Sequence, residues 1–374
     1  MTSLTNTFNF LFFLIATLPS LSVSQNPGFY VEENKIKDLC GKEVIFRGIN
    51  SMTVWTDKDG KPTFSEIAKT GANVVRIVWT TTDGTPEELD RAIQECIRNQ
   101  MIPMIELHDA TGDISKVPKL VDWWIKPEVV SVIKKYEKFL FVNIANEAGD
   151  NNITDSVFLS VYTDALLKMR SAGIHTPLII DASTWGQDID ILQATGPQLI
   201  EKDPNKNLLF SVHMWWPSEW RGDKVEQYVI DEIQESVDMK LPLIIGEFAQ
   251  KSVDCTPEIP YLTILDEAQK QGIGWLAWSW GPGNTDCSEM DMTTDGTFNT
   301  LMGWGLEVAT THKNSIANTS VVPYFVKNGT CEPVKTKKRE SKTNQSIDNK
   351  KFNVKGQPHL YNEGIYFHKS IHLN

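Results

Sequence analysis

The chain has 374 residues and a formal net charge of −12. One barrel domain of roughly 250 residues plus appendages accommodates that length. The acidic balance excludes a polyanionic partner such as nucleic acid, whose phosphates need a basic surface, and leaves neutral or cationic substrates open.

In chain order, an apolar run from Phe10 to Leu18, then Pro19 and the small residues Ser22-Val23-Ser24, reads as a signal peptide over residues 1–24. It is too short to span a bilayer, and no later stretch is long and apolar enough, so no membrane partner is expected. A secreted, extracellular protein follows. Secretion makes glycosylation candidates of four Asn-X-Ser/Thr sequons, at Asn152, Asn318, Asn328 and Asn344. It also lets the five cysteines form two disulfides with one thiol left over. Cys255 and Cys287, in the loops after the seventh and eighth predicted strands, are expected to pair across adjacent loop bases. Cys40–Cys96 is the second, weaker pairing, which leaves Cys331 without an assignment.

From residue 43 to 280, short β-branched apolar runs alternate with longer stretches of helical period. Those runs lack the strict alternation of half-exposed strands, so they read as strands buried on both faces. They fall at 43–50, 73–79, 101–109, 139–147, 176–183, 208–216, 241–248 and 272–280. Amphipathic stretches such as 86–99, 153–172, 223–239 and 258–271 separate them. Eight β-then-α repeats predict a single α/β domain, a (β/α)8 TIM barrel over residues 25–329. The rival, a doubly wound open sheet, lacks a Gly-rich phosphate loop after its first strand. Residues 330–374 differ in kind, with nine Lys/Arg against four Asp/Glu from 331 on, and are expected to form a basic tail of low order that folding does not need.

Parallel barrels carry their reactive groups at the carboxyl ends of the strands, so polar residues that close apolar runs are the candidates. These are Arg76 and Trp79, His108-Asp109, Asn146-Glu147, His213 with Trp215 and Trp216, Glu247, and Trp278 with Trp280. A carboxylate closing an apolar strand costs several kcal/mol unless paired or neutralised. Glu147 and Glu247, opposed on the fourth and seventh strands, therefore invite an acid/base assignment. Glycosidic cleavage uses such a pair: one carboxyl protonates the leaving oxygen while the other attacks or activates water from the opposite face. Indole faces stack on the apolar C–H faces of pyranose rings, so Trp55, Trp79, Trp185, Trp215, Trp216, Trp278 and Trp280 suit a polysaccharide cleft. Any single indole serves equally as core packing, and the argument is their concentration at one rim. No metal cluster and no nucleotide fingerprint is found in the sequence, so no catalytic cofactor is expected.

At these residues the sequence resembles glycoside hydrolase family 5 of the cellulase superfamily, over roughly residues 29–317. The motifs are Arg-Gly-Ile-Asn (47–50), Gly-Ala-Asn-Val-Val-Arg (71–76), Glu-Leu-His-Asp (106–109) and Asn-Ile-Ala-Asn-Glu (143–147). They continue with Trp-Gly-Gln-Asp (185–188), Ser-Val-His-Met (211–214), Ile-Gly-Glu-Phe (245–248) and Trp-Leu-Ala-Trp-Ser-Trp (275–280). Within the family it is most similar to bacterial-type endo-β-1,4-mannanases, through Leu-His-Asp-Ala-Thr-Gly (107–112) and Arg-Ser-Ala-Gly (170–173). The resemblance implies a retaining endo-glycanase with Glu147 as acid/base and Glu247 as nucleophile. It also implies that Arg76 keeps Glu247 ionised, Asn146 bonds the sugar 2-hydroxyl, His108 and His213 line the reacting subsite, and Trp278 stacks on the sugar. A β-1,4-linked polysaccharide, mannan or glucomannan first, is the expected partner of a monomer.

Two departures stand out. The family usually has Tyr two residues after the sixth-strand His, where this chain has Trp215, an N–H donor that cannot accept or relay a proton. The mannanase pattern also carries histidines after the first-strand Asn and an aromatic after the acid/base; here stand Ser51-Met52-Thr53 and Ala148-Gly149-Asp150. A β-1,4-glucanase, a carbohydrate-binding barrel with weak turnover, and a transglycosylase are the alternatives. Intact Glu147, Glu247, Arg76 and Asn146 count against the binding protein.

Overall fold

A computed structural model describes residues 27–333 apart from 222, 223 and 257. The proposed signal peptide, the sequon at Asn344 and the tail beyond residue 333 lie outside the described residues. The chain opens with a small antiparallel hairpin, β1 (Tyr30–Glu32) and β2 (Lys35–Lys37). Then come β3 (Arg47–Ser51), β4 (Val74–Trp79), β5 (Ile102–Leu107), β6 (Phe141–Asn143), β7 (Leu178–Asp181), β8 (Leu208–His213), β9 (Leu243–Glu247) and β10 (Gly274–Ala277). These eight are all parallel and close on themselves in the order β10-β3-β4-β5-β6-β7-β8-β9. The expected (β/α)8 barrel is therefore the observed one.

The surrounding helices begin where side chains satisfy the open backbone donors. Thr85 and Glu88 form a reciprocal capping box ahead of Pro86–Arg98. Thr154 and Asp188 accept from Val157 and Ile191 at the starts of Asp155–Ser171 and Ile189–Lys202. Apolar helix faces and the outer faces of the strands form the larger core. A smaller core fills the barrel interior, with Val74, Ile102, Met104, Phe141, Ile179, Leu209, Ile244 and Leu276. Phe29 and Phe46 pack on Phe141 at 5.2 and 5.1 Å between ring centroids and plug the end where the strands begin.

Side chains alternate along a strand, so two residues beyond each apolar interior position the next inward residue lies toward the carboxyl end. There the interior turns polar: Arg76 follows Val74, Glu106 follows Met104, Asn143 follows Phe141, Asp181 follows Ile179, and Ser211 and His213 follow Leu209.

Cysteine pairing corrects part of the expectation. Cys255–Cys287 is formed as expected. Cys40 instead bonds Cys331, with Cα atoms 5.5 Å apart, and Cys96 is a buried free thiol. Cys96 lies on the buried face of the helix Pro86–Arg98, where burial pushes its thiol up, and Cys40 is taken by Cys331. The compact unit accordingly runs to Glu332, three residues past the boundary drawn from composition. No helix among the described residues is long and apolar enough to cross a membrane. Asn152, Asn318 and Asn328 are all exposed.

Candidate active site

Glu247 reaches the interior through an irregularity in the ladder. Val212 pairs with Ile245 but His213 pairs with Glu247, so Gly246 is an extra residue on β9. The insertion reverses the parity of the strand and turns Glu247 inward beside His213. Only glycine fits at the insertion, because a Cβ there would lie 2.2 Å from Ser211 Oγ and 2.9 Å from His213 Nε2. Glu147 is delivered differently. The β6 ladder ends at Asn143, and the chain turns so that Glu147 takes a left-handed φ of 47°. For a residue with a Cβ this conformation costs about 1 kcal/mol. It is held on both sides, the Glu147 N–H donating to Asp181 Oδ2 and its carbonyl accepting from Gly112 N.

A buried guanidinium organises the floor. Arg76 donates through Nη1 to Glu247 Oε1 at 2.8 Å and to Asn50 Oδ1 at 3.2 Å. Through Nη2 it donates to Asn146 Oδ1 at 2.6 Å, Asn143 Oδ1 at 2.9 Å and Asp181 Oδ2 at 3.3 Å. Glu106 lies 3.8 Å away. The second oxygen of Glu247 accepts from Trp215 Nε1 at 3.3 Å, the position where a tyrosine hydroxyl is expected. Glu147 Oε1 lies 2.7 Å from His213 Nδ1. Glu147, His213 and Glu247 thus present atoms within 4.8 Å of one another. Arg76 supplies this cluster with a fixed positive charge.

Burial is the largest influence on Glu247 and, with the charge of Glu147, lifts its carboxyl to about 7 against the pull of His213 and Arg76. The expected pull of Arg76 is present, but desolvation outweighs it. Burial alone would depress His213; the carboxylates of Glu247, Asp181 and Glu147 overcome it and raise the imidazole to about 9. His108 is half-buried; desolvation would lower it, but Glu106 at 2.9 Å and the charge of Glu247 raise it above its ordinary value.

Above this floor opens a cleft of about 630 Å³ lined by His108, Thr111, Glu147, Trp185, Trp215, Glu247, Trp278 and the loop from Gly283 to Cys287. His108 stacks on Trp278 at 5.8 Å and meets the edge of Trp55 at 5.5 Å. Trp278 Nε1 donates to Asn284 Oδ1, which fixes the indole plane. Thr184, Trp185 and Gly186 are all left-handed, a turn that leaves Trp185 over the cleft and sets Gly186 against the His213 ring.

Of the candidates from sequence, Arg76, His108, Asn146, Glu147, Trp185, His213, Trp215, Glu247 and Trp278 meet in or under this cleft. Trp280 does not. It is 2% exposed, donates to Gly296 O, and borders a separate depression with Asp57 and Asp295. Trp79 is fully buried in the barrel–helix core, and Trp216 packs on Tyr228. Asp181, Asn143, Glu106, Asn50 and Asn284 hold the site together without having been singled out. Asp181 ends the apolar run Leu178–Asp181. The rule that selected Glu147 and Glu247 applied to it equally, but the expected strand ran on to residue 183 and hid its end.

A closed eight-stranded barrel whose carboxyl end sets two opposed glutamates in an aromatic-lined cleft defines a glycoside hydrolase, acting on O-glycosidic bonds. The chain belongs to glycosyl hydrolase family 5, whose cellulase model matches residues 38–284. It is 34% identical over 286 residues to a mannan endo-1,4-beta-mannosidase of Salipaludibacillus agaradhaerens, covering 74% of this chain and 89% of that one. It is 31% identical to the mannan endo-1,4-beta-mannosidase of Cellvibrio japonicus, over 82% and 72% of the two chains. The mannohexaose complex of the Thermomonospora fusca beta-mannanase superposes with a TM-score of 0.71 at 28% identity, covering 80% of this chain and 99% of that one.

Proposed function

We propose that this chain is a secreted, retaining endo-β-1,4-mannanase with Glu247 as nucleophile and Glu147 as general acid/base. The carrying observation is the spacing: oxygens of the two carboxyl groups lie within 4.8 Å of each other. Retaining enzymes hold theirs about 5–5.5 Å apart, whereas inverting ones need roughly 6.5–9.5 Å to admit a water. Glu247, anchored by Arg76 and Trp215, attacks the anomeric carbon as Glu147 gives its proton to the departing glycosidic oxygen. A glycosyl ester to Glu247 results. Glu147, now a carboxylate, takes a proton from the incoming water, which displaces Glu247 and restores both groups. Arg76 opposes the charge on Glu247, Asn146 is held beneath the cleft by Arg76 and Thr111 as the residue for the sugar 2-hydroxyl, and Trp278 and His108 form the stacking wall.

The mannan reading rests on the relatives named above. Ser51-Met52-Thr53 and Ala148-Gly149-Asp150, which follow β3 and β6, favour a second reading, a β-1,4-glucan, because they depart from the mannanase pattern. Reducing-end release from mannan, glucan and xylan by the mature protein, with Glu147→Gln as blank, decides between them. Mannan turnover with retained anomeric configuration in a proton NMR time course is the expected result. Inverted product would remove the nucleophile from Glu247. Glu147→Ala should keep slow turnover that azide or an activated aryl leaving group accelerates, and Glu247→Ala should lose both.

A further inference from the structure

Asp181, the last residue of β7, has no part in the catalytic cycle above. We propose that it is a positioning residue that joins the acid/base to the nucleophile's cluster through one buried oxygen. This rests on the assignment of Glu147 and Glu247. Asp181 Oδ2 accepts the main-chain N–H of Glu147 at 3.2 Å and Arg76 Nη2 at 3.3 Å. It lies 3.4 Å from His213 Nε2, and Oδ1 accepts from Asn143 Nδ2 at 2.9 Å. The side chain is fully buried. A buried carboxylate persists only where donors replace its water. A structural ion pair needs the guanidinium alone, yet here the carboxylate also meets groups delivered by β6 and β8.

Two consequences follow from that placement. First, Glu147 sits in a left-handed conformation that surrounding bonds must enforce, and Asp181 supplies the bond to its N–H. Second, His213 is bracketed by negative charge: Glu147 at its Nδ1, Glu247 3.4 Å from the same nitrogen, and Asp181 at its Nε2, with Arg76 on β4 behind them. The bracket keeps the ring an imidazolium whose Nδ1–H donates to Glu147 Oε1. Asp181 thereby sets both where the acid/base stands and the charge it faces when it alternates between acid and base.

Asp181→Asn in the whole enzyme tests this. We expect kcat to fall about 10- to 100-fold with KM within about threefold, since the contact serves the reacting geometry rather than binding. The alkaline limb of kcat/KM should move to lower pH. In 15N-histidine-labelled protein the His213 resonances should titrate at least about one pH unit lower than in the parent. A lower melting temperature with the His213 midpoint and the pH profile both unmoved would reduce Asp181 to a structural ion pair and overturn the proposal. If the variant does not fold, the parent enzyme suffices: His213 must stay protonated through neutral pH, and a midpoint at or below about 6.5 overturns the coupling. The NMR reading is independent of which glutamate is the acid, so failure of that assignment would show in the azide experiment while the His213 shift stood.

Discussion

Trp215 stands where a hydroxyl is usual, and its N–H reaches the free oxygen of Glu247, the proposed nucleophile. Trp215→Phe removes that donor from a carboxylate already lifted by burial to about 7. A hydrogen bond to a charged group is worth about 1.5–3 kcal/mol, so kcat should fall roughly 10- to 100-fold. The acid limb of kcat/KM should move upward, because the lost donor favoured the ionised form. An unmoved acid limb in steady-state kinetics across pH would show that the indole only packs. In the parent enzyme the profile is expected to be bell-shaped, with its acid limb above the usual carboxylate range. Stability runs in one direction across the same range. His213, held above its ordinary 6.5, contributes fully below that value and loses its contribution as pH rises toward about 9. Glu247, raised from 4.5 to about 7, acts the same way in the lower window. Calorimetry at a series of pH values should therefore record a melting temperature that falls from pH 5 to pH 9.

At the scale of the element, the extra residue in β9 decides which way Glu247, the proposed nucleophile, points. Gly246→Ala places a methyl group against Ser211 and His213, both fully enclosed. Overpacking of this kind costs about 1–3 kcal/mol, and here relief requires moving His213 or Glu247. Activity should fall further than the melting temperature implies; full kcat with a lowered melting temperature would mean that the bulge does not aim Glu247. Such features were only partly legible in the sequence. The apolar runs located all eight strands, but the first was expected from residue 43 and begins at Arg47. Val44 and Phe46 are apolar because they plug the barrel; Val44 N–H donates to Ile36 O in β2 and Phe46 O accepts from Trp275 N, but neither residue belongs to a strand. The fourth was expected to reach Glu147, yet the ladder stops at Asn143 and Ile144 to Ala148 are buried in a turn. Hydrophobicity reports burial, and burial without a ladder looks the same. The hairpin of β1 and β2 was missed because its strands have three residues each, two of them Lys in β2. Asp181 needed the register, which makes it an inward residue, before it could be told from a loop carboxylate.

For the whole molecule, the Cys40–Cys331 bond changes what the end of the domain means. A chain ending at Gly329, which the basic composition suggested would be silent, removes Cys331 and frees Cys40. A bridge closing so long a loop contributes about 2–5 kcal/mol. Truncation after Gly329 should lower the melting temperature by several degrees, while truncation after Pro333 should leave it and the activity unchanged. Equal melting of the two truncated chains would return the boundary to residue 329. That bond gives the enzyme a further property. Residues 40 to 331 form a covalent ring that contains the whole barrel, and a second, smaller ring from Cys255 to Cys287 is set into it. A ring cut once remains one piece. A protease that clips an exposed loop such as the one around Val253, 59% exposed, breaks the backbone but releases no fragment. A nicked molecule should run as a single species without reductant and separate into two only when thiol is added. Wherever conditions are oxidising enough for both bonds to persist, the barrel can be cut without coming apart.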